Sequence, residues 1–410
     1  MINPNTGTRE LAYVVKITDV LDIEGVNNQV AVVNGWQVFV KRDEFKPGDL
    51  AVYFEIDSKV PELECFEFLR KYNFKVKTQR FVKGRVLSQG LVIKPADLGL
   101  ENVEEGQFLT KELGVTYYDP EDNIRKASNE ELIKTKVEKR LERWCKKHKF
   151  LSKFKFIVNW AKKAIERKIR KTQKKKKTDW PAWVVKTDEE RIQNLPSIFN
   201  DLDKIWYVTE KIDGTSTTFT MKQDKPKKRQ LIICSRNVVF NTPEKEERNY
   251  YKDTDGNVYL EMAEKYNMNL VLNTILNAHP QFEYITIQGE TYGGNIQKRK
   301  YCDDHRFAIF NIIYKEEGKA PARMNPKMMR DYVAQLNEFE AISQHCPLEC
   351  VPYLGRVKLA KLPTCEDVLN FAHGISQIDD KLREGLVFRS EDGVNSFKAV
   401  DNEFLLVYHS

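Results

Sequence analysis

The feature that most constrains this chain is a basic block in its middle. From residue 121 to residue 177 there are 22 Lys and Arg against 7 Asp and Glu, a local balance of +15, whereas the net charge of all 410 residues is +7 and the remainder therefore sums to −8. With 410 residues the chain is also too long for one ordinary domain and suits two, with this block as an extra segment. Such a concentration of cations also suggests a polyanionic partner.

Before the block, the pattern is that of short strands. Leu11–Thr18 is apolar and β-branched, and Asn28–Val33 and Trp36–Val40 flank Asn34-Gly35, a strong two-residue hairpin signal. Pro47-Gly48-Asp49 marks another turn before a strand over Leu50–Ile56, and Gly84–Ile93 supplies one more around Ser88-Gln89-Gly90. About five short strands in about 100 residues predict a small closed barrel over 1–118.

Within the block, Leu132, Ile133, Val137, Leu141 and Trp144 recur at helical spacing. So do Phe154, Ile157, Trp160, Ala161, Ile165 and Ile169, with Lys and Arg on the other faces. Residues 119–179 are expected to form one or two basic amphipathic helices and a mobile linker ending in Lys174–Lys177. Solvated charge, nucleic-acid contact and membrane-surface contact all remain open for this segment.

After the block, residues 180–410 mix strands and helices, so the whole chain is expected to be α+β, with antiparallel sheets in its C-terminal half. Strands are predicted over Ile205–Thr209, Ser216–Met221, Leu231–Cys234, Tyr284–Gln288, Arg306–Ile313, Gly385–Arg389 and Asn395–Ala399. Helices are predicted over Leu260–Leu276, Pro326–Leu336 and Cys365–His373.

No run of 18 apolar residues exists, and Met1–Glu10 lacks the apolar stretch of a signal peptide, which points to an intracellular protein without a membrane span. The 7 cysteines are scattered without a CxxC pair, as in a reducing compartment. His345, Cys346 and Cys350 are close in sequence, but their spacing fits no zinc pattern and they read as structural thiols.

Glu210-Lys211-Ile212-Asp213-Gly214-Thr215 is the string that carries chemistry. By itself, Asp-Gly is ordinary turn chemistry. Its weight comes from the ordered series of motifs downstream of it: Ser235-Arg236-Asn237, Gln288-Gly289-Glu290 with Tyr292-Gly293-Gly294, the apolar run Phe307–Ile313, Arg383-Glu384-Gly385-Leu386-Val387, and Ser396-Phe397-Lys398.

This order over residues 180–410 resembles the motifs of covalent nucleotidyltransferases, the superfamily of polynucleotide ligases and capping enzymes. The barrel-like region precedes the catalytic one, and Lys398 lies 12 residues before Ser410, too few for the second barrel that DNA ligases and capping enzymes carry there. The arrangement is similar to that of ATP-dependent RNA ligases with an N-terminal oligonucleotide-binding domain, the type found in Deinococcus and Naegleria. Val33-Asn34-Gly35-Trp36, Lys46-Pro47-Gly48-Asp49, Val52–Asp57, Ser88-Gln89-Gly90-Leu91, Leu113-Gly114-Val115 and Lys186–Asn194 also carry that resemblance.

The resemblance implies that Lys211 takes up AMP from ATP, passes it to a 5′-phosphate end, and that a 3′-OH RNA end then attacks to seal the strand. Free lysine has a pKa near ~10.4, so nearby cations and a bound metal are expected to lower it at Lys211. Glu384 and Glu290 are the expected ligands of Mg²⁺ or Mn²⁺. Lys398 is expected to neutralise the α-phosphate and Arg236 to hold ribose or phosphate oxygens. Phe310 is the candidate to stack on the purine, with core packing as its alternative. Asp213 is carried over as a group at the nucleotide site, and Glu210 as a backbone contact to adenine.

Thr187, Arg191 and Gln193 are expected to line the nucleotide pocket or place the 5′-phosphate strand, with a capped helix start at Thr187 as the alternative. Lys41, Arg42 and Lys83 are the barrel's candidates for nucleic-acid contact. The Ser396-Phe397-Lys398 motif has a single lysine, Lys398, where the family often has two basic residues, and the basic block exceeds the family's linker. A monomer acting on RNA, at nicks or breaks, is the expectation. The alternatives are a GTP-dependent capping enzyme and an inactive RNA-binding relic.

Overall fold

The computed structural model describes residues 1–118, 137, 140–141, 143–146, 148, 155–173, 180–186, 188–225, 228–240 and 257–408. Two strand-rich regions flank a basic helix. In the first, strands Ala12–Lys16, Leu50–Phe54 and Leu91–Ile93 form one antiparallel sheet, and Asp19–Asp22, Asn28–Val33 and Trp36–Lys41 form another. Gln79–Phe81 pairs with Val86–Ser88.

The Asn34-Gly35 turn is as the sequence predicts. Both residues have positive φ (47° and 77°), the requirement of a type I′ turn, and Val33 pairs with Trp36 across it. The second sheet is tied to the Val86–Ser88 segment by Gln89 N–H donating to Gln37 O at 2.7 Å and Phe39 N–H donating to Ser88 Oγ at 3.0 Å.

The strand Ala12–Lys16 does not alternate in burial, because both of its faces are covered. Tyr13 and Val15 pack with Val38, Ala51 and Tyr53 inside the barrel. Val14 packs on the other side with Val52, Phe54 and the helical turns of Glu64–Tyr72, which bury Phe66 and Leu69.

The second region has two sheets. The first has strand order Glu190–Arg191, Ser396–Val400, Gly385–Ser390, Ile205–Lys211, Tyr353–Lys358. The second runs Ile232–Ser235, Thr215–Lys222, Phe282–Gly293, His305–Glu316, Ala322–Arg323, with Glu349–Cys350 also paired to His305–Glu316. Pairing is antiparallel except for Glu190–Arg191 with Ser396–Val400 and Glu349–Cys350 with His305–Glu316.

One face of each sheet is apolar. Trp206, Val208, Leu386, Phe388, Phe397 and Ala399 form one core, and Phe219, Ile285, Ile287, Phe307 and Ile309 pack with helices Val258–Lys265, Met268–Ala278 and Pro326–Asn337 in another. The opposite face of the second sheet is polar yet buried, and its threonines pair in couples such as Thr220–Thr286, 2.7 Å between hydroxyl oxygens.

Several expectations need correction. The single helix predicted over Leu260–Leu276 is two, broken at Tyr266 and Asn267. Asn267 takes a left-handed φ of 42° and its side chain accepts from Leu270 N–H, so one residue ends the first helix and caps the second. The Lys186–Asn194 string does not open an α-helix: Glu190–Arg191 is a strand and Ile192–Asn194 a 3₁₀ turn.

The helix Lys155–Gln173 forms as predicted, but Trp160 is not part of its buried stripe. Ala161 is buried and Ile165 packs on Val137, whereas Trp160, about 100° around the helix from Ala161, is 70% exposed. Leu132, Ile133, Phe154 and Lys174–Lys177 lie outside the described residues. Among the described residues, no helix is long and apolar enough to cross a membrane. Cys346 and Cys350 pack against a hydrophobic core, as the structural-thiol reading requires.

The barrel sits directly on the second region. Ile2 N–H donates to Asn194 O at 2.9 Å, Arg80 Nη1 to Leu406 O at 2.8 Å, and Arg9 bridges the buried Glu55 (2.8 Å) and Glu190 (3.8 Å). The Asn34-Gly35 turn meets the helix Cys365–Ala372, where a Cβ on Gly35 would fall 2.8 Å from Leu369 Cδ1.

A test of the barrel's packing is Gly90→Ala. Gly90 has φ +117°, and a Cβ there would lie 2.4 Å from the Tyr53 ring, whose hydroxyl donates to Gln89 O. Positive φ and overpacking together are expected to cost about 2–5 kcal/mol, read as a lower urea midpoint. An unchanged midpoint would show that the barrel accommodates the methyl group freely.

Candidate active site

The two sheets meet across the end of strand Ile205–Lys211. Residues 207, 209 and 211 alternate onto the face opposite the Trp206–Val208 core. Lys211 pairs with Gly385 on the neighbouring strand, so Glu384 arrives beside it, and Lys211 Nζ lies 2.7 Å from Glu384 Oε2. Val387 pairs with Lys398, which pairs in turn with Arg191, so those two cations share a row of the sheet with Thr209.

Glu290 comes from the other sheet. Gly214 explains how that sheet gets close: a Cβ there would lie 2.3 Å from Thr291 O and 2.9 Å from Glu290 Cγ. The glycine after Asp213 is thus required by close approach of two strands. Asp213 is buried, and its N–H donates to Tyr301 Oη at 2.9 Å. Arg299 stacks over the Tyr301 ring at 3.7 Å and pairs with Asp379 at 2.6 Å.

The electrostatics correct the expected lysine. Burial alone would lower the Lys211 pKa, but Glu384, Glu290 and Asp213 outweigh it, and the amine is held above its ordinary range. The carboxylates thus favour the ammonium form. Glu290 is pushed up to about 8, first by burial, with Glu384 and Asp213 adding to the rise and Lys211 opposing it.

Among the described residues no group of three or more His, Cys, Asp or Glu forms a ready metal cage. Glu290 and Glu384 nonetheless fit a hard divalent cation that keeps waters and phosphate oxygens in its shell. Such an ion would neutralise carboxylates that burial makes costly to charge.

Asp188 links two other candidates. Its Oδ1 is 3.0 Å from Lys398 Nζ, and its Oδ2 pairs with Arg236 Nη2. Next to it, Glu189 forms a largely buried pair with Arg389 at 2.8 Å. Burial would raise the Glu189 pKa, but Arg389 and Arg323 bring it below the ordinary range. Arg389 Nη1 also donates to Phe310 O at 3.0 Å, which fixes the strand that carries Phe310. The Phe310 ring is half-buried and packs beside Ile212, Tyr292 and Val351.

Arg191 sits at the junction of the two regions. Its guanidinium lies 5.4 Å from the Trp36 ring centroid, Trp36 stacks on Tyr53, and burial lowers the Arg191 pKa. Its Nη1 is buried without a hydrogen-bond partner. A desolvated cation with an unused donor has the chemistry to take an anion. Gln193 packs toward the Gly35 turn, with its amide atoms buried and unpartnered.

Other expected residues stand elsewhere. Glu210 is committed structurally: its N–H donates to Pro352 O at 2.8 Å, and its carboxylate accepts from Ser376 Oγ (2.5 Å) and Gln377 N–H (2.8 Å). Arg383, in the Glu384 motif, donates to the Phe371, Ala372 and His373 carbonyls at the end of helix Cys365–Ala372. Lys41 and Lys83 are exposed on the barrel, and Arg42 pairs with Asp22 at 3.4 Å. Thr187 lies outside the described residues. Sequence reasoning misses Asp188, Glu189 and Arg389 as site residues, although the two acids stand in the Lys186–Asn194 string.

A strand-end lysine among carboxylates, between two facing sheets and behind a small barrel, is the build of a covalent nucleotidyltransferase. Residues 204–400 match the RNA ligase family model, and residues 11–95 match an OB-fold domain model. The chain is a member of the RNA ligase family, in the form that carries an OB-fold domain on its N-terminal side.

Solved structures of a Naegleria gruberi RNA ligase match nearly end to end. A lysine-to-methionine variant with AMP and Mn is 26% identical, with 97% of this chain and 98% of that one covered and a TM-score of 0.61. A lysine-to-alanine variant with ATP and Mn is 25% identical, with 97% and 98% covered and a TM-score of 0.61. An apo aspartate-to-alanine variant is 26% identical, with 97% of each chain covered and a TM-score of 0.61. No curated protein sequence matches the chain.

The Glu189–Arg389 pair gives a stability test. Arg389→Leu strands a buried carboxylate and should cost about 3–5 kcal/mol in chemical denaturation. Glu189→Gln keeps a hydrogen-bond acceptor for Arg389 and should cost less than half as much. Equal losses would mean that charge pairing, and not the hydrogen bond that Gln keeps, carries the contribution of the pair.

Proposed function

We propose that this RNA ligase uses ATP and seals a 5′-phosphate end to a 3′-OH RNA end through AMP carried on Lys211. The Lys211–Glu384 contact at 2.7 Å, with Glu290 and Asp213 adding to the field on the amine, is the observation that carries this reading. The Naegleria gruberi structures with ATP and Mn, and with AMP and Mn, support the choice of nucleotide and metal.

In the first step the Lys211 amine attacks the α-phosphorus of ATP, a phosphoramidate forms, and pyrophosphate leaves. The amine must first lose its proton, and the carboxylates around it oppose that loss. A divalent cation held by Glu290 and Glu384 would supply charge neutralisation for those carboxylates and for the phosphates. Lys398 and Arg236 leave Asp188 for phosphate or ribose oxygens, and Arg191 offers its unused donor to a phosphate. Phe310 stacks on the purine from the second sheet.

In the second step a 5′-phosphate oxygen attacks the Lys211-bound phosphorus, and the amine leaves. In the third, the 3′-OH displaces AMP and a phosphodiester forms. The OB-fold domain grips the RNA near the break, with Lys41, Arg42 and Lys83 as contacts.

Incubation with α-³²P ATP and Mg²⁺ or Mn²⁺ should label the wild-type chain, and neither Lys211→Ala nor a chelator-treated sample should be labelled. Glu384→Gln should lower labelling by at least about 100-fold. A band with GTP alone would move the chain to capping chemistry. Absence of any band, from folded protein freed of AMP, would sink the reading.

A further inference from the structure

The helix Lys155–Gln173 carries a surface that the sealing chemistry does not use. Ala161 and Ile165 turn inward, the latter against Val137. Trp160, Lys163, Ala164 and Arg167 fall on a different face at helical spacing, all exposed. A tryptophan 70% exposed on a helix that already has a buried stripe is an unusual use of the largest apolar side chain.

We infer that this face is a second RNA-binding surface, on which a base of single-stranded RNA stacks on Trp160 while Lys163 and Arg167 hold flanking phosphates. Three observations point to one occupant. The surrounding segment, residues 121–177, has a balance of +15 in a chain of net charge +7, so the attraction to a polyanion is concentrated here. An exposed aromatic among cations is the combination that binds single strands without sequence preference. A membrane-surface helix would need a free apolar face, whereas here Ala161 is buried, Ile165 packs on Val137 and the outward face has one aromatic among charges.

The inference rests on the ligase reading for the identity of the polyanion, and its test is separable from that reading. Binding of a fluorescent single-stranded RNA is measured by anisotropy against salt, using the full chain. Trp160→Ala should weaken binding about tenfold, from the loss of one stacked base, and Trp160→Phe should restore most of it. Replacing Lys163 and Arg167 together by Gln should lower the slope of log K against log salt by about 1.

Labelling by ATP alone should be unchanged in all three variants, which also shows that they are folded. Wild-type affinity and salt slope in the Trp160→Ala and Lys163/Arg167 double variants would overturn the inference. So would binding to phosphatidylserine vesicles that depends on Trp160 while RNA affinity does not. A wild-type chain that binds RNA through Trp160 but takes no label would leave this surface standing and remove the ligase reading instead.

Discussion

The contact between Lys211 and Glu384 depends on strand pairing, and much of the fold serves to set it. The two residues are 173 apart in sequence, and they meet because Lys211 pairs with Gly385. That register is held by the core beneath, where Trp206 and Val208 pack with Leu386, Phe388 and Phe397. A slip of one residue would turn Lys211 into that core, so hydrophobic burial on one face fixes chemistry on the other. Glu290 is then brought in from the second sheet by the close approach at Gly214.

The site that results is loaded with charge before any nucleotide arrives. Glu384, Glu290 and Asp213 hold the Lys211 amine in its protonated form, and Asp188 engages both Lys398 and Arg236. Each acid occupies a cation that an incoming phosphate would use. Binding of a polyphosphate together with a divalent cation exchanges one set of ion pairs for another, which avoids leaving buried charges bare in either state. Arg191 is different: its unused donor and its stacking on Trp36 tie the active-site strand to the OB-fold domain. The two domains therefore meet at a buried cation beside the candidate site.

Much of this was legible in the sequence. The hairpin at Asn34-Gly35 was clear because few dipeptides satisfy two positive φ values. Lys211, Asp213, Glu290, Glu384 and Lys398 were legible as candidates because their motifs follow one another in the family's order. The helix over 260–276 was misread at Asn267, since one left-handed residue does not disturb the hydrophobic period around it. Trp160 was misread for the opposite reason: it fits the period, but the narrow stripe at Ala161 and Ile165 was the one that found a partner in Val137. Asp188 and Glu189 were visible as residues and invisible as partners, because Lys398, Arg236 and Arg389 lie from 48 to 210 residues away.

The sequence by itself determined the kind of chemistry, the order of the domains and the lysine to propose as the reacting one, because residue type and local spacing carry that information. Only the tertiary structure decided the charge state of that lysine, the pairing of Asp188 with two cations and the seating of Arg191 on Trp36. Those are properties of distance and burial, and both are set by sheet register and domain packing between residues far apart in the chain.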